Sequence, residues 1–578
     1  MYVIATAGHV DHGKSALLRA LTGMEPDRWA EERRRGLTID LGFAWTAVGG
    51  ADIAFVDVPG HERFAPNMLA GVGAVPAVLF VVAADEGWQP QATEHLAALD
   101  AFGVRHGLLA VTKSDRADPA GATEAALERL RARGLGEVPA VAVSATTGAG
   151  LPELRECLLD LVSGLPAADD DADVRLWVDR SFSVRGAGTV VTGTLGAGVV
   201  RVGDALELAG SGRRVVVRGL HTLGRPAEVV RGTARVAVNL RGAERDDLRR
   251  GDALLTPTAW RTTTEVDVAL RGRAAVVNRE LVLHIGSAAA PCRVRPLGTS
   301  NARLRTQVAL PLRAGDVGLL RDPGGHRIVC GVEVLDPDPP TLAGRGAAGR
   351  RERELRDGPV SAYLRRHGAV GTSALRALGW PSTGVEVDGW CVDPDLFAAL
   401  PGALASRVAA LRAADPLAPG VPVALLRQET AVPDTVLRDA LTAAGLAVSG
   451  GLVRAGGDGL PDALAAVVAV LEERWAAAPF AAPEADDLAA LGLGQKELAA
   501  AERAGRLVRL SPSVVLPADA PATAASLLAA LPAPFTVSAA RSALGATRRV
   551  AVPLLEHLDR RGVTVRDAAG QRRLRGAG

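Results

Sequence analysis

Short apolar runs rich in β-branched residues alternate with amphipathic stretches over residues 1–168. "YVIATA" (2–7), "DIAFVDVPG" (52–60), "AVLFVVAAD" (77–85), "GLLAVTKSD" (107–115) and "AVAVSA" (140–145) each read as a buried strand, and the longer segments between them as helices. That pattern predicts an α/β domain with a mostly parallel sheet. After "GLPAADDDADV" the texture changes to Val, Arg, Thr and Gly, with strands broken at GxG and GD turns such as "VRVGDALEL" and "LRAGDVGLLRD". That texture suggests β-barrels or sandwiches, and two barrels, at residues 174–258 and 259–337, fit the length. "DPDPPTLAGRGAAGR" (336–350) reads as a linker.

Residues 345–578 are rich in Ala and Leu and carry a weak repeat. Segments 436–455, 498–516 and 554–574, with a looser copy at 374–392, each run from an amphipathic helix through a glycine to two short strands. A helix stopped by glycine and followed by a hairpin is how a winged-helix domain ends, so about four tandem winged-helix domains are expected, the last at about 520–578. The alternative is a plain helical tail. The expected fold is therefore multidomain, α/β, then β, then α.

Composition narrows the classes. Four cysteines, at 157, 292, 330 and 391, lie far apart and indicate neither a disulfide framework nor a zinc site, which fits a reducing cytoplasm. The start has no basic segment ahead of an apolar one, and no uninterrupted apolar stretch of about 18 residues is apparent, so neither export nor a membrane span is expected. The 66 basic and 65 acidic residues leave a net charge of +1, so any nucleic-acid surface must be local.

The chemistry begins at residues 8–15. GHVDHGKS fits the phosphate-binding pattern G-x-x-x-x-G-K-[ST] between a strand and a helix. Gly8 and Gly13, with Asp11 and His12 between them, let backbone amides curl round a phosphate; Lys14 bridges phosphate oxygens and Ser15 ligates Mg²⁺. Asp57 in "DVPGH" supplies a carboxylate on the Mg²⁺ side through water, and the amide of Gly60 faces a terminal phosphate. "TKSD" (112–115) selects the base: the Asp115 carboxylate accepts from two guanine donors that adenine lacks as a set, and the stem of Lys113 covers the ring. Ser144 and Ala145 support the base edge. Thr112 stands where an asparagine is usual, so a polar contact near the base is expected to be weakened or lost. In "RRRGLTIDLGF" (33–43), Thr38 reaches Mg²⁺ only while a terminal phosphate is present. His61 is placed to orient an attacking water; the plain alternative is a structural histidine. Four motifs in order at strand ends predict GTP and GDP as ligands, with Mg²⁺.

Together GHVDHGKS, RGLTI, DVPGHERF and VTGT resemble the translational GTPases of the elongation factor Tu type over residues 1 to about 336. The resemblance implies a GTPase domain and two barrels that clasp an aminoacyl-tRNA when GTP is bound, and an apolar gate of Val10 and Leu37 that holds His61 from the water until the ribosome moves it. The C-terminal extension, with "VDRSFSVRGAGTVVTGTL", "HIGSAAAPCRVR" and "GVEVLDPDPP", is similar to the bacterial selenocysteine-specific elongation factors. That similarity implies selenocysteinyl-tRNA as cargo, the ribosome as partner, an mRNA hairpin after an in-frame UGA, and a monomer in the cytoplasm. A selenolate is charged at neutral pH where a serine hydroxyl is not, so fixed cations discriminate between them. The family's pocket positions match Asp179, Arg180 and Arg235; the alternative is strand-end residues in surface salt bridges.

From Arg541 onward nine arginines face three acidic residues, a difference of +6. Arg548 and Arg549 near a helix start, and Arg572 and Arg573 in the wing, are the candidate RNA contacts, against the plain reading of a solvated charged face. Two other readings remain open: a translation-like GTPase recruited to a metabolic task such as sulfate activation, and a winged-helix DNA-binding regulator with a GTPase switch.

Overall fold

Strand β1 (Tyr2–Ala7) runs through the centre of a six-stranded sheet, with β3 (Ala51–Asp57) on one side and β4 (Ala77–Ala83) on the other, both parallel to it. The order is β2-β3-β1-β4-β5-β6, in which β2 (Gly42–Val48) pairs antiparallel with β3, and β5 (His106–Thr112) and β6 (Ala140–Ala142) continue the parallel side. Both faces are covered, which is why β4 is buried at all seven positions and reads as an unbroken apolar run. Helices α1 (Lys14–Thr22), α2 (Ala65–Val72), α3 (Pro90–Ala101), α4 (Ala120–Ala132) and α5 (Leu151–Ser163) supply the covers. The computed structural model describes residues 1–26, 38–73, 75–186, 188–272, 279–455 and 460–575. These form two units, Met1–Gly384 and Val385–Gly578.

Two all-β bodies follow in the first unit. In one, the strand Ala205–Leu208 pairs with both Arg214–Thr222 and Ala253–Leu255, which closes the sheet on itself around Val178, Val191, Val236 and Leu254. In the other, six strands from Thr262–Arg271 to Arg327–Asp336 form a closed barrel. Closure removes the edges that an exposed β-sheet would otherwise present.

The segment expected to be a free linker is instead anchored. Helix Ala347–Asp357 begins inside it, and that helix's Arg351, 2% exposed, lies between Asp267 and Asp336 of the barrel, both 0% exposed. Arg303 donates to the other side of Asp267 at 2.7 and 3.0 Å and to the Pro340 carbonyl at 2.6 Å. Asp338 accepts from Tyr363 at 3.0 Å, fastening the next helix, Pro359–His367. Proline and glycine mark where the strand ends. The buried charge that holds the segment down comes from residues distant in sequence, and no local pattern announces it.

In the second unit a short helix followed by a two-stranded hairpin recurs. Asp434–Ala443 leads to Leu446–Ser449 and Leu452–Ala455; Gln495–Arg503 leads to Leu507–Ser511 and Val514–Pro517; Arg548–Arg560 leads to Thr564–Arg566 and Arg572–Leu574. In chain order, a helix Thr372–Ala377 near the end of the first unit precedes a hairpin of Val385–Val387 with Trp390–Val392 at the start of the second. Among the described residues one helix, Pro394–Ala414, is long and apolar enough by length and composition to cross a membrane, although Asp395, Arg407 and Arg412 interrupt it. It buries Leu400, Leu404 and Val408 along one stripe and pairs Arg407 with Glu429 at 2.6 Å.

Candidate functional site

The loop between β1 and α1 is shaped by glycines. Gly8 has φ +135°, and a β-carbon there would lie 2.1 Å from the Val81 carbonyl oxygen; Gly13, at φ +81°, caps the helix. Lys14 folds its ammonium back onto the carbonyls of Gly8 (3.0 Å) and His9 (2.8 Å). Gly60 is equally constrained, since a β-carbon would meet Lys14 Nζ and the Val10 amide at 2.6 Å. Asp11 takes the left-handed conformation, at φ 64°.

Ser15, Thr38 and Asp57 come together from three separate segments. Ser15 Oγ donates to Asp57 Oδ2 at 2.7 Å and lies 3.0 Å from Thr38 Oγ1. Thr6, which the sequence reading missed, donates to the other carboxylate oxygen at 2.7 Å and accepts from the Val58 amide at 3.1 Å. The result is a set of oxygen donors facing the start of α1, the set that a hard divalent cation completed by phosphate oxygens requires. His61 follows Gly60, with Nδ1 accepting from the Arg63 amide at 3.2 Å. Val10 is partly buried beside this loop; Leu37 lies outside the described residues.

At the base-recognition end, a hydrogen bond from Ser144 holds the Asp115 carboxylate below its usual range. Ala145 follows, and the Ser144 amide donates to the Ala149 carbonyl at 3.0 Å. Lys113 ion-pairs with Glu86 at 2.5 Å and Asp85 at 3.2 Å. At Thr112, where a weakened polar contact near the base is expected, the buried hydroxyl donates to the His12 carbonyl at 2.7 Å, tying the two loops together across 100 residues.

Helix α3 braces the phosphate loop in a way that no motif signals. His95 Nδ1 accepts from the Gly8 amide at 3.1 Å, and Gln91 Oε1 from the Val10 amide at 3.2 Å. Burial, with lesser contributions from Lys14 and His9, pushes His95 down to about 3, and burial likewise pushes His12 down to about 4. Both rings are therefore neutral near pH 7, as acceptance by His95 requires. A base whose folded pKa lies below its unfolded value of about 6.5 contributes stability that is present above pH 6.5 and lost as the pH falls toward the folded value, about 4 for His12 and about 3 for His95. In denaturant titrations across this range, the stability advantage of the native chain over a His95→Gln variant is expected to shrink as the pH drops from 6.5 to 4.

The second cluster lies where the first all-β body meets β2. Arg235 ion-pairs with Asp179, which also accepts from Thr192 at 2.6 Å. Arg180 pairs with Asp40 at 3.2 Å and donates to the Leu41 carbonyl. The guanidinium carbons of Arg235 and Arg180 stand 4.0 and 4.9 Å from the centre of the Phe43 ring. A cavity of about 210 Å³ adjoins them. Arg250 binds Asp40 and Asn67, both at 2.6 Å, and the Asp179 carbonyl at 2.9 Å. Burial acts against the charge of Asp40, yet Arg250 and Arg180 outweigh it and hold its pKa down. Asp40, Phe43 and Arg250 were missed from sequence, because their roles exist only once the two domains dock.

The four arginines singled out near the C-terminus divide. Arg549 is spent on the Ser513 and Ala482 carbonyls, at 2.9 and 2.8 Å, and on Glu484, while Arg572 is 4% exposed and paired with Asp559 at 2.9 Å. As surface contacts for RNA these two are corrected: they hold the fold. Arg548 and Arg573 are exposed.

Comparison with known proteins adds relatives to this geometry. Residues 1–164 match the family model for the elongation factor Tu GTP binding domain, 188–255 that for elongation factor Tu domain 2, and 526–574 that for the elongation factor SelB winged helix. The chain is 41% identical over 344 residues to the selenocysteine-specific elongation factor of Escherichia coli K12, covering 58% of this chain and 56% of that protein. It thus spans little more than half the length of that relative. It is 35% identical over 284 residues to elongation factor Tu 2 of Streptomyces avermitilis, covering 44% of this chain and 72% of that protein. The crystal structure of a bacterial selenocysteine-specific elongation factor, EF-Sec, superposes with a TM-score of 0.76 at 24% identity over 99% of each chain, a likeness of fold.

Proposed function

Because the chain belongs to the elongation factor Tu family of GTP-binding proteins, we propose that it hydrolyses GTP as the timer for bringing selenocysteinyl-tRNA to the ribosome, at an in-frame UGA marked by an mRNA hairpin. It does so as a cytoplasmic monomer. Gly8, Asp11, His12, Gly13, Lys14 and Gly60 cradle the phosphates; Thr112, Lys113, Asp115, Ser144 and Ala145 hold guanine. Ser15 and Thr38, with Asp57 through water, would hold Mg²⁺, which when bound would offset charge on the phosphate oxygens. Val10 and Leu37 gate His61.

The observation that carries the cargo assignment is the pair of arginines, anchored by carboxylates, converging beside one aromatic ring. Asp179 fixes Arg235, and Asp40 fixes Arg180. Only two to five residues separate Thr38 from Asp40 and Phe43, so a terminal phosphate that orders Thr38 also orders the carboxylate and ring against which the pocket is built. The pocket is thereby formed in the GTP state and loosened after hydrolysis. Arg548 and Arg573, exposed on the last winged helix, contact the hairpin's phosphates.

The test is protection of the aminoacyl ester against spontaneous hydrolysis, with seryl-tRNA of the same sequence as control. Protection of the selenocysteinyl ester alone, and only with GTP, is expected, and Arg235→Gln is expected to weaken that form about 10²-fold, the cost of removing one partner of a buried charge pair. Equal protection of both esters overturns the charge argument, and protection of neither overturns the delivery role.

A further inference from the structure

The turn that follows β4 carries two carboxylates outside every nucleotide motif, and both reach one side chain at the base-recognition end. Asp85 and Glu86 stand on a pinned turn, in which the Gly87 amide donates to the Ala83 carbonyl and the Gln89 side chain to the Glu86 carbonyl, both at 2.9 Å. The Trp88 ring stacks on Phe80 with centroids 5.3 Å apart. The Ala84 amide donates to the Thr112 carbonyl at 2.8 Å, which fixes this turn against the strand end that leads to Lys113.

Lys113 takes the left-handed backbone conformation, at φ 55°. A residue with a side chain holds that conformation only where its surroundings impose it. Its Nζ lies 2.5 Å from Glu86 and 3.2 Å from Asp85. Burial acts against the ammonium's charge, yet the two carboxylates outweigh it and hold Lys113 above its ordinary pKa. A single carboxylate would tether the ammonium and leave the stem free to swing; two, from adjacent residues of a pinned turn, fix its direction. A free lysine side chain has among the largest rotamer entropies to lose on ordering. Here the protein's own carboxylates order the stem, so a base packing against it is spared that cost. Glu86 also stands 3.8 Å from His12 Nε2, but that ring, pushed down to about 4 by burial, is neutral near pH 7, which leaves Lys113 as the partner that matters.

We propose that Asp85 and Glu86 are positioning residues for guanine: by fixing the direction of the Lys113 stem that covers the ring, they set how long the nucleotide stays bound. The inference rests on the reading of Lys113 as the cover of the base. It is independent of the cargo. Because GDP and GTP share the base, both are retained by the same factor, whereas a group acting through the phosphate loop would discriminate between them.

The experiment measures release of fluorescent GDP, and of a fluorescent GTP analogue that resists hydrolysis, from the full chain on chasing with excess unlabelled nucleotide. The native chain is compared with Asp85→Asn/Glu86→Gln, with Lys113→Ala, and with all three substitutions together. Each partly exposed ion pair is worth up to about fivefold in an equilibrium. The double variant is therefore expected to release both nucleotides about 5- to 10-fold faster, by the same factor for each. In the Lys113→Ala background, which itself releases fast, the same two substitutions are expected to add less than about twofold, the non-additivity of groups that act through one another. Native release rates in the double variant, with Lys113→Ala fast, overturn this inference alone. Acceleration undiminished in the Lys113→Ala background, or unequal for the two nucleotides, also overturns it and places the effect in the turn or the phosphate loop. Native release rates in Lys113→Ala overturn the base-cover reading and the inference with it.

Discussion

Replacing His61 with alanine lowers ribosome-stimulated GTP hydrolysis by about 10²- to 10³-fold and leaves GTP affinity close to wild type. The magnitude is that of losing one positioning group in a reaction governed by alignment and charge. The expected role follows from the hydrogen bond at the ring's other nitrogen. With Nδ1 accepting from the Arg63 amide, the neutral ring carries its proton on Nε2. It therefore donates to the water's oxygen and orients it, without removing its proton. His61→Gln, which also offers a donor, is expected to recover part of the rate. Single-turnover hydrolysis with and without ribosomes separates the cases: an equal fall in GTP binding and in rate would make His61 a structural residue of the loop.

Asp115→Asn is expected to reduce GTP affinity by about 10²- to 10³-fold and to raise affinity for xanthosine triphosphate. Two charge-assisted hydrogen bonds from guanine to one carboxylate are worth about 3–4 kcal/mol together. An amide presents one acceptor and one donor, which suits xanthine, where an oxygen replaces the exocyclic amine of guanine. The Ser144 hydroxyl that now donates to Asp115 finds an acceptor in the amide oxygen, so the loop keeps its shape. Competition between the two nucleotides on each variant reads the switch directly, and equal discrimination by both variants places the base elsewhere.

The nucleotide loops were legible because each spans a few residues whose roles are set by local backbone shape, as Gly8 and Gly13 illustrate. The strand periodicity carried the sheet and the two closed barrels for the same reason. What stayed hidden depends on distance. The bond from the Thr112 hydroxyl to the His12 carbonyl spans 100 residues and no motif announces it. Phe43, Asp40 and Arg250 acquire partners only when the barrel docks on β2. A run of arginines gives no sign of which members are consumed internally, so Arg549 and Arg572 could not be told from Arg548 and Arg573. The buried histidine at 95 sits on the apolar stripe of its helix like an ordinary core residue.

The anchoring of Arg351 bears on how such chains can be cut and recombined. Residues 1–337 look from sequence like a separable three-domain module, yet Asp336 and Asp267 sit in the barrel with no exposure and draw one of their counter-charges from beyond that boundary. Excising the module leaves Asp336 without its cation, a defect of about 3–5 kcal/mol when one member of a buried pair is removed. A chimera grafting a different tail onto this barrel inherits the same debt unless it carries an arginine at the matching helical position. The natural seam for protein engineering therefore lies past residue 357, where the helix has already returned the charge.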